Sequence, residues 1–145
     1  MKKAFTLIEY LVVIAIIGIL SAAVVITLSH YEPSISLNGS SRDLVSHLRQ
    51  AQEETVSSQT AYAILFNLKT SPANYQLLKI SQTTTVMDTY SIPSTVTVTL
   101  DPTITSNQIT FSPDGGPSAS GNITFTSGGI TKVVSVSPAG VISLQ

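Results

Sequence analysis

Hydrophobic and polar positions divide the chain into three stretches with different periods. From Phe5 to Ile26 almost every residue is apolar, interrupted chiefly by Glu9 near the head of the run and by Ser21 near its end. A continuous helix over residues 5–29 measures about 37 Å at 1.5 Å per residue, which spans a hydrocarbon core of about 30 Å. Val12, Val13, Ile14, Ile16, Ile17 and Ile19 are β-branched and form helix weakly in water. In lipid the backbone has no water to bond, so helix is imposed regardless of propensity. Pro33 disfavours helical geometry at Glu32. The first helix is therefore expected over residues 5–30, followed by a linker over residues 31–40, with Ser40 or Ser41 capping the next element.

The second stretch, from Arg42 to about Ser58, has helical spacing: Leu44, Leu48, Ala51 and Thr55 form a stripe widened by Val45 and Val56. Arg49, Glu53 and Glu54 occupy the opposite face, as expected of a helix packed on a sheet. From Ala61 the period changes to two. Tyr62, Ile64, Phe66 and Leu68 alternate along one strand, and residues 75–80 answer it across a turn containing Pro72. Val96, Val98 and Leu100 alternate with threonines, and the pairs Ile109/Phe111, Ile123/Phe125 and Val134/Val136 continue the pattern. Residues 113–121, 127–129 and 137–140 carry turn chemistry, and a short strand over residues 141–144 closes the chain. The pattern predicts an α+β domain over residues 41–145, an amphipathic helix packed on antiparallel strands.

Composition narrows what such a domain does. The chain has 145 residues, a net charge of −1 and 10% charged residues, so the part beyond the apolar run makes one small domain. Beyond that run only Arg42, Arg49, Lys69, Lys79 and Lys132 are basic, against seven acids, which is no footprint for nucleic acid or anionic lipid. The absence of cysteine excludes disulfides, zinc–cysteine sites and a thiol nucleophile.

The lone carboxylate at the head of the apolar run carries the most information. A charge at membrane depth costs at least about 2.5–3.5 kcal/mol, so an ordinary anchor has no reason to hold one. Lys2-Lys3-Ala4-Phe5-Thr6-Leu7-Ile8-Glu9 resembles the N-terminus of type IV pilins and type II secretion pseudopilins. In that family a basic leader ends in a small residue, the mature chain begins with Phe, and Glu is its fifth residue. Ala4 stands where the family usually has Gly, and Tyr10 where an aliphatic residue is more common. The resemblance implies a leader over residues 1–4, cleavage between Ala4 and Phe5 by a prepilin peptidase, and N-methylation of Phe5. It further implies that Glu9 pairs with the N-terminal amine of a neighbouring subunit during filament assembly. A local reading needs only this chain: a carboxylate near a helix N-terminus is stabilised by the dipole.

The second half is similar to the minor pseudopilin of the H type and to minor pilins of the GspH/FimT-like kind. The likeness rests on Leu48-Arg49-Gln50-Ala51 in the amphipathic helix, the Ile-Thr-Phe-Ser-Pro-Asp-Gly turn from Ile109, and the Val-Ser-Pro-Ala-Gly-Val-Ile hairpin from Val136. The resemblance implies a structural subunit with no catalysis and no cofactor. It would lie in the cytoplasmic (inner) membrane with its C-terminal domain exported, and assemble with other pilin or pseudopilin subunits. Type II secretion and type IV pilus or competence systems use the same helix and are not separated by it.

Two alternatives compete. Lys2-Lys3, residues 11–20 and Ser21-Ala22-Ala23 also satisfy a conventional signal peptide preceding a secreted β-rich binding domain, although Glu9 interrupts the basic-to-apolar transition. A FimT-like role in DNA uptake needs several clustered cations. Here Gly140 is followed by Val141 and only Lys132 is near, so no nucleic-acid partner is expected. His30 and His47, the only histidines, read as surface or half-buried side chains. Asp114-Gly115-Gly116 lacks a second acid within twelve residues and reads as a turn, not a calcium loop, so no metal is expected.

Overall fold

The computed structural model describes residues 6–145, and within residues 23–31 the backbone alone. Contacts divide the chain into two compact units on either side of the Glu32–Pro33 bond. In the first unit, residues 7–32 are helical, and every described side chain is exposed. Among the described residues no helical stretch is long and apolar enough to cross a membrane. The span expected over residues 5–30 lies partly outside them, at residue 5 and at the side chains of residues 23–30.

Helix α1 runs Leu7–Ser58 with Pro33 inside it, so the expected linker over residues 31–40 and the expected cap at Ser40 or Ser41 are corrected. Proline removes one backbone donor and crowds the preceding turn, a cost of about 3 kcal/mol. Burial offsets it. Leu37 and Ser41 are fully buried, and they extend the stripe of Leu44, Leu48, Ala51 and Thr55 by two places at alternating spacings of four and three. Local hydrogen bonds hold the same turn: Asn38 donates its amide to the Ser34 carbonyl (2.8 Å), and the Ser41 hydroxyl donates to the Asn38 carbonyl (3.2 Å). The helix stops where Gln59 takes a left-handed conformation (φ 52°).

Eight strands follow, in two antiparallel sheets. The first holds β1 (Ala61–Asn67), β2 (Asn74–Ile80), β3 (Thr84–Ser91) and β5 (Gln108–Phe111) in the order β3-β2-β1-β5. The second holds β4 (Thr97–Leu100), β6 (Gly121–Ser127), β7 (Ile130–Val136) and β8 (Ile142–Leu144) in the order β4-β6-β7-β8. The alternating residues meet in register: Ile64 opposes Leu77 and Ile109, Tyr62 opposes Phe111, and Val98 opposes Phe125. Their apolar faces and the α1 stripe form one core, in which Phe66, Phe111 and Phe125 are the largest fully buried side chains. The α+β class with helix on antiparallel strands stands as expected.

Strand β3 has no counterpart in the sequence reading. Its residues are almost all exposed, and a bulge in its pairing between Leu77 and Leu78 breaks the alternation that would have revealed it. Buried Thr55 joins helix to sheet: its hydroxyl donates to the Ala51 carbonyl (2.7 Å) and accepts the Tyr62 N–H (3.1 Å).

Leu37→Ala separates a packed helical turn from a linker. Loss of a fully buried leucine costs about 2–5 kcal/mol, whereas a linker residue changes stability by about 0.5 kcal/mol or less. Urea unfolding of the detergent-solubilised chain is expected to show the larger loss.

Candidate functional site

Glu9 occupies the first turn of α1. Thr6 precedes the helix, and its carbonyl accepts the N–H groups of Glu9 (3.1 Å) and Tyr10 (3.4 Å). Thr6-Leu7-Ile8-Glu9 also has the spacing of a capping box, a local reason for the carboxylate that complements the dipole argument. Glu9 is exposed and has no ion-pair partner among the described residues. Around and beyond it Leu7, Ile8, Leu11, Val12, Val13, Ile14, Ile16, Ile17, Ile19 and Leu20 are all exposed, between 47% and 83%. An apolar surface on every face of a helix has no stable place in water and calls for lipid or other helices. Ala4 and Phe5, the expected cleavage and methylation residues, lie outside the described residues, as does the side chain of His30.

The second unit carries a different constellation, and half-buried His47 is its centre. Its Nδ1 lies 2.9 Å from the Tyr75 hydroxyl, and its ring stacks on Tyr90 with centroids 3.7 Å apart and planes 16° off parallel. Tyr75 and Tyr90 are directly paired across β2 and β3, with ring centroids 5.3 Å apart. Asp43, one helical turn before His47, and Asp88, two residues before Tyr90, bring negative charge to the cluster. Burial holds the His47 pKa below its ordinary value, opposed by these two carboxylates. Burial also raises Tyr75 well above the usual phenol range, with the Asp43 charge adding to it. Burial and the Asp88 charge raise Tyr90. Near neutral pH the rings are therefore uncharged.

A groove of about 410 Å³ opens here, lined by Asp43, His47, Tyr75 and Tyr90 with hydroxyls from Ser36, Ser40, Thr89 and Ser91. A separate depression of about 440 Å³ is lined by Arg42, Arg49 and Glu53 together with Val45 and Leu144. Arg49 also donates to the Ile142 carbonyl (3.2 Å).

Gln52, unremarked in the sequence, gathers the two Gly-bearing turns. Its amide donates to the carbonyls of Gly115 (2.7 Å) and Gly140 (3.1 Å), so Ser112–Gly116 and Ser137–Gly140 meet on one helical side chain. Gly140 sits at φ 78°, and a Cβ there would lie 2.6 Å from the Gln52 amide nitrogen and 2.7 Å from the Gly115 oxygen. Glycine is thus required at that point by both conformation and space. Asp114 sits in the first of these turns, where its Oδ1 accepts the Gly116 N–H (3.4 Å). Among the described residues no group of three histidines or acids is placed to hold a metal.

Comparison with known families places this architecture. The family model described as type II transport protein GspH matches residues 40–140, most of the chain. The chain belongs to the GspH family. Its N-terminus, residues 1–25, matches the prokaryotic N-terminal methylation motif. The GspH fold is shared with the type IV minor pilin FimU of Pseudomonas aeruginosa (strain PAO1), at 19% identity and a TM-score of 0.64, covering 80% of this chain and 92% of FimU. It is also shared with the minor pseudopilin EpsH from the type 2 secretion system of Vibrio cholerae, at 11% identity and a TM-score of 0.66, covering 76% and 96%. No curated protein sequence shows a significant match to the chain. As a GspH-family chain with a methylation motif, the protein is a structural subunit of the minor pilin and pseudopilin class. Such a subunit assembles with other pilin-class subunits.

The His47 cluster has a pH signature. A histidine whose folded pKa is depressed binds fewer protons folded than unfolded, so stability falls as pH drops through the ordinary value of 6.5 toward the folded one. Asp101 and Asp114, each held below 3.8 by hydrogen bonds within its own turn, contribute only in a more acidic window. Urea midpoints measured from about pH 7.5 to about pH 5 are expected to decline, and His47→Gln is expected to flatten that decline.

Proposed function

We propose that this chain is a minor subunit of a type II secretion pseudopilus or type IV pilus. In this reading it is inserted in the cytoplasmic membrane by the apolar run that begins at Phe5 and carries its second unit on the exported side. Lys2-Lys3 stay cytoplasmic under the positive-inside rule. A prepilin peptidase cuts between Ala4 and Phe5, and the new Phe5 amine is methylated. The observation that carries the proposal is the helix from Leu7 to Leu20, apolar and exposed on all sides, with one carboxylate in its first turn.

The chemistry of assembly follows from that carboxylate. Glu9 in the bilayer without a partner costs at least about 2.5–3.5 kcal/mol. The amine released at Phe5 of a neighbouring subunit supplies the opposite charge. Pairing across subunits therefore favours the filament over dispersal in lipid, while the surrounding side chains exchange lipid contacts for helix contacts at little net change. The exported domain, with its core complete in itself, is cargo carried on this helix. The second unit contributes recognition surfaces, and no catalytic step is assigned to it.

Glu9→Ala is expected to insert in the membrane at least as well as the parent, because a charge has been removed. Incorporation is expected to fail. The fraction of protein in sheared filaments, or cross-linked to the major subunit, relative to the membrane pool, measures it. Glu9→Gln, which keeps shape but loses the ion pair, is expected to fall between the two. Undiminished incorporation of Glu9→Ala would mean that the carboxylate serves only its own helix end.

A further inference from the structure

We propose that the groove between α1 and the β2–β3 hairpin is a docking site for an arginine side chain presented by an adjoining pilin-class subunit, with Asp43 in its wall as the counter-charge and Asp88, beside Tyr90 on β3, adding to the field. The identity of the partner rests on the filament reading above, whereas the charge and shape of the groove do not.

The electrostatics select a cation. Two carboxylates act on the uncharged His47–Tyr90 stack, one from the helix and one from the edge strand. Among the described residues neither has a lysine or arginine within ion-pair distance. The chain does not neutralise them itself: Arg42 and Arg49 line the separate depression, and Lys79 lies over the Tyr62 ring, 5.8 Å from its centroid. An anion is repelled from such a place, and the donor set does not suit a metal.

The shape and the acceptors select a planar cation on a long stem. The groove, about 410 Å³, has the volume for a single side chain and too little for a macromolecular segment. Carboxylate and hydroxyl oxygens from Asp43, Ser36, Ser40, Thr89 and Ser91 surround it, and a guanidinium brings five N–H donors and no acceptor. Its plane also stacks on aromatic rings, and half-buried Tyr90 is held in the groove wall by its stack on His47, which the buried Tyr75 hydroxyl fixes in turn. Asp88 shares a face of β3 with Tyr90, because Asp88 pairs with Leu77 and Tyr90 with Tyr75, both buried on the helix side. The groove is thus built from helix and edge strand together, with its aromatic wall fixed before any ligand arrives. One side chain binds weakly alone, but a filament presents it at high effective concentration.

The test uses the full chain in detergent, isotope-labelled for NMR, and two peptides: acetyl-Gly-Arg-Gly-amide and its uncharged citrulline counterpart. The arginine peptide is expected to shift the His47 and Tyr90 resonances saturably, with little response to citrulline. The chain carrying Asp43→Asn and Asp88→Asn, both exposed and isosteric, is expected to keep its folded spectrum and bind at least about ten-fold more weakly, with each single change intermediate. Binding is also expected to weaken from about pH 7.5 to about pH 5, as His47 takes a proton beside the guanidinium. Tyr75 and Tyr90 stay neutral throughout that range. Equal shifts from the citrulline peptide, no saturable shift from the arginine peptide, or undiminished binding by the double variant would each overturn the proposal. None of these outcomes involves a filament, so failure here leaves the Glu9 experiment standing, and failure there leaves the groove.

Discussion

One helical stripe must serve as the inner wall for two sheets, and the rest of the domain depends on it. Leu37, Ser41, Leu44, Leu48, Ala51 and Thr55 are buried in alternating steps of four and three, so a single seam faces the core over about five turns. Both sheets share their apolar cluster with that seam. Each fully buried aliphatic side chain contributes about 1.5–3 kcal/mol. That is why a proline and a glycine-serine-rich segment are carried inside the helix: stopping it at Pro33 would leave Leu37 and Ser41 without their place. Polar side chains at the seam's margin then set what packs against it, Thr55 for the start of β1 and Gln52 for the two late turns.

Period and turn chemistry made much of this legible. Alternation located β1, β2, β4, β6 and β7 to within a few residues; it is clearest in β4 and β6, where buried residues alternate with more exposed ones, whereas β1 buries Tyr62, Ala63 and Ile64 in succession. The GspH-type turns at Ser112 and Ser137 were visible as sequence, and their meeting on Gln52 was not, since a helical glutamine carries no signal until its neighbours are known. The continuation of α1 through Pro33 was hidden because local propensity favoured a break and the burial that overrides it is tertiary. Strand β3 was hidden because an edge strand with a bulge buries too little to alternate. The His47 cluster went with it, since Tyr90 and Asp88 both belong to that strand.

The two units answer to different solvents. The first exposes apolar side chains from Leu7 to Leu20 and carries one carboxylate, a surface that is stable only among lipids and other helices. The second encloses most of its aromatic and aliphatic residues in one core. A subunit of this kind is held in its assembly by the first unit and distinguished from other subunits by the surfaces of the second. Charge is scarce throughout, 10% of residues, so each carboxylate without a cationic partner weighs more in the field at the surface.

The account turns on where the mature chain begins. Filament assembly through Glu9 requires a free amine at Phe5, four residues away, whereas ordinary secretion would remove Glu9 with the signal peptide. Intact mass of the membrane-extracted protein decides between them. The account predicts a chain beginning at Phe5 with a methylated amine. A chain beginning at Val24, after Ser21-Ala22-Ala23, would contradict it.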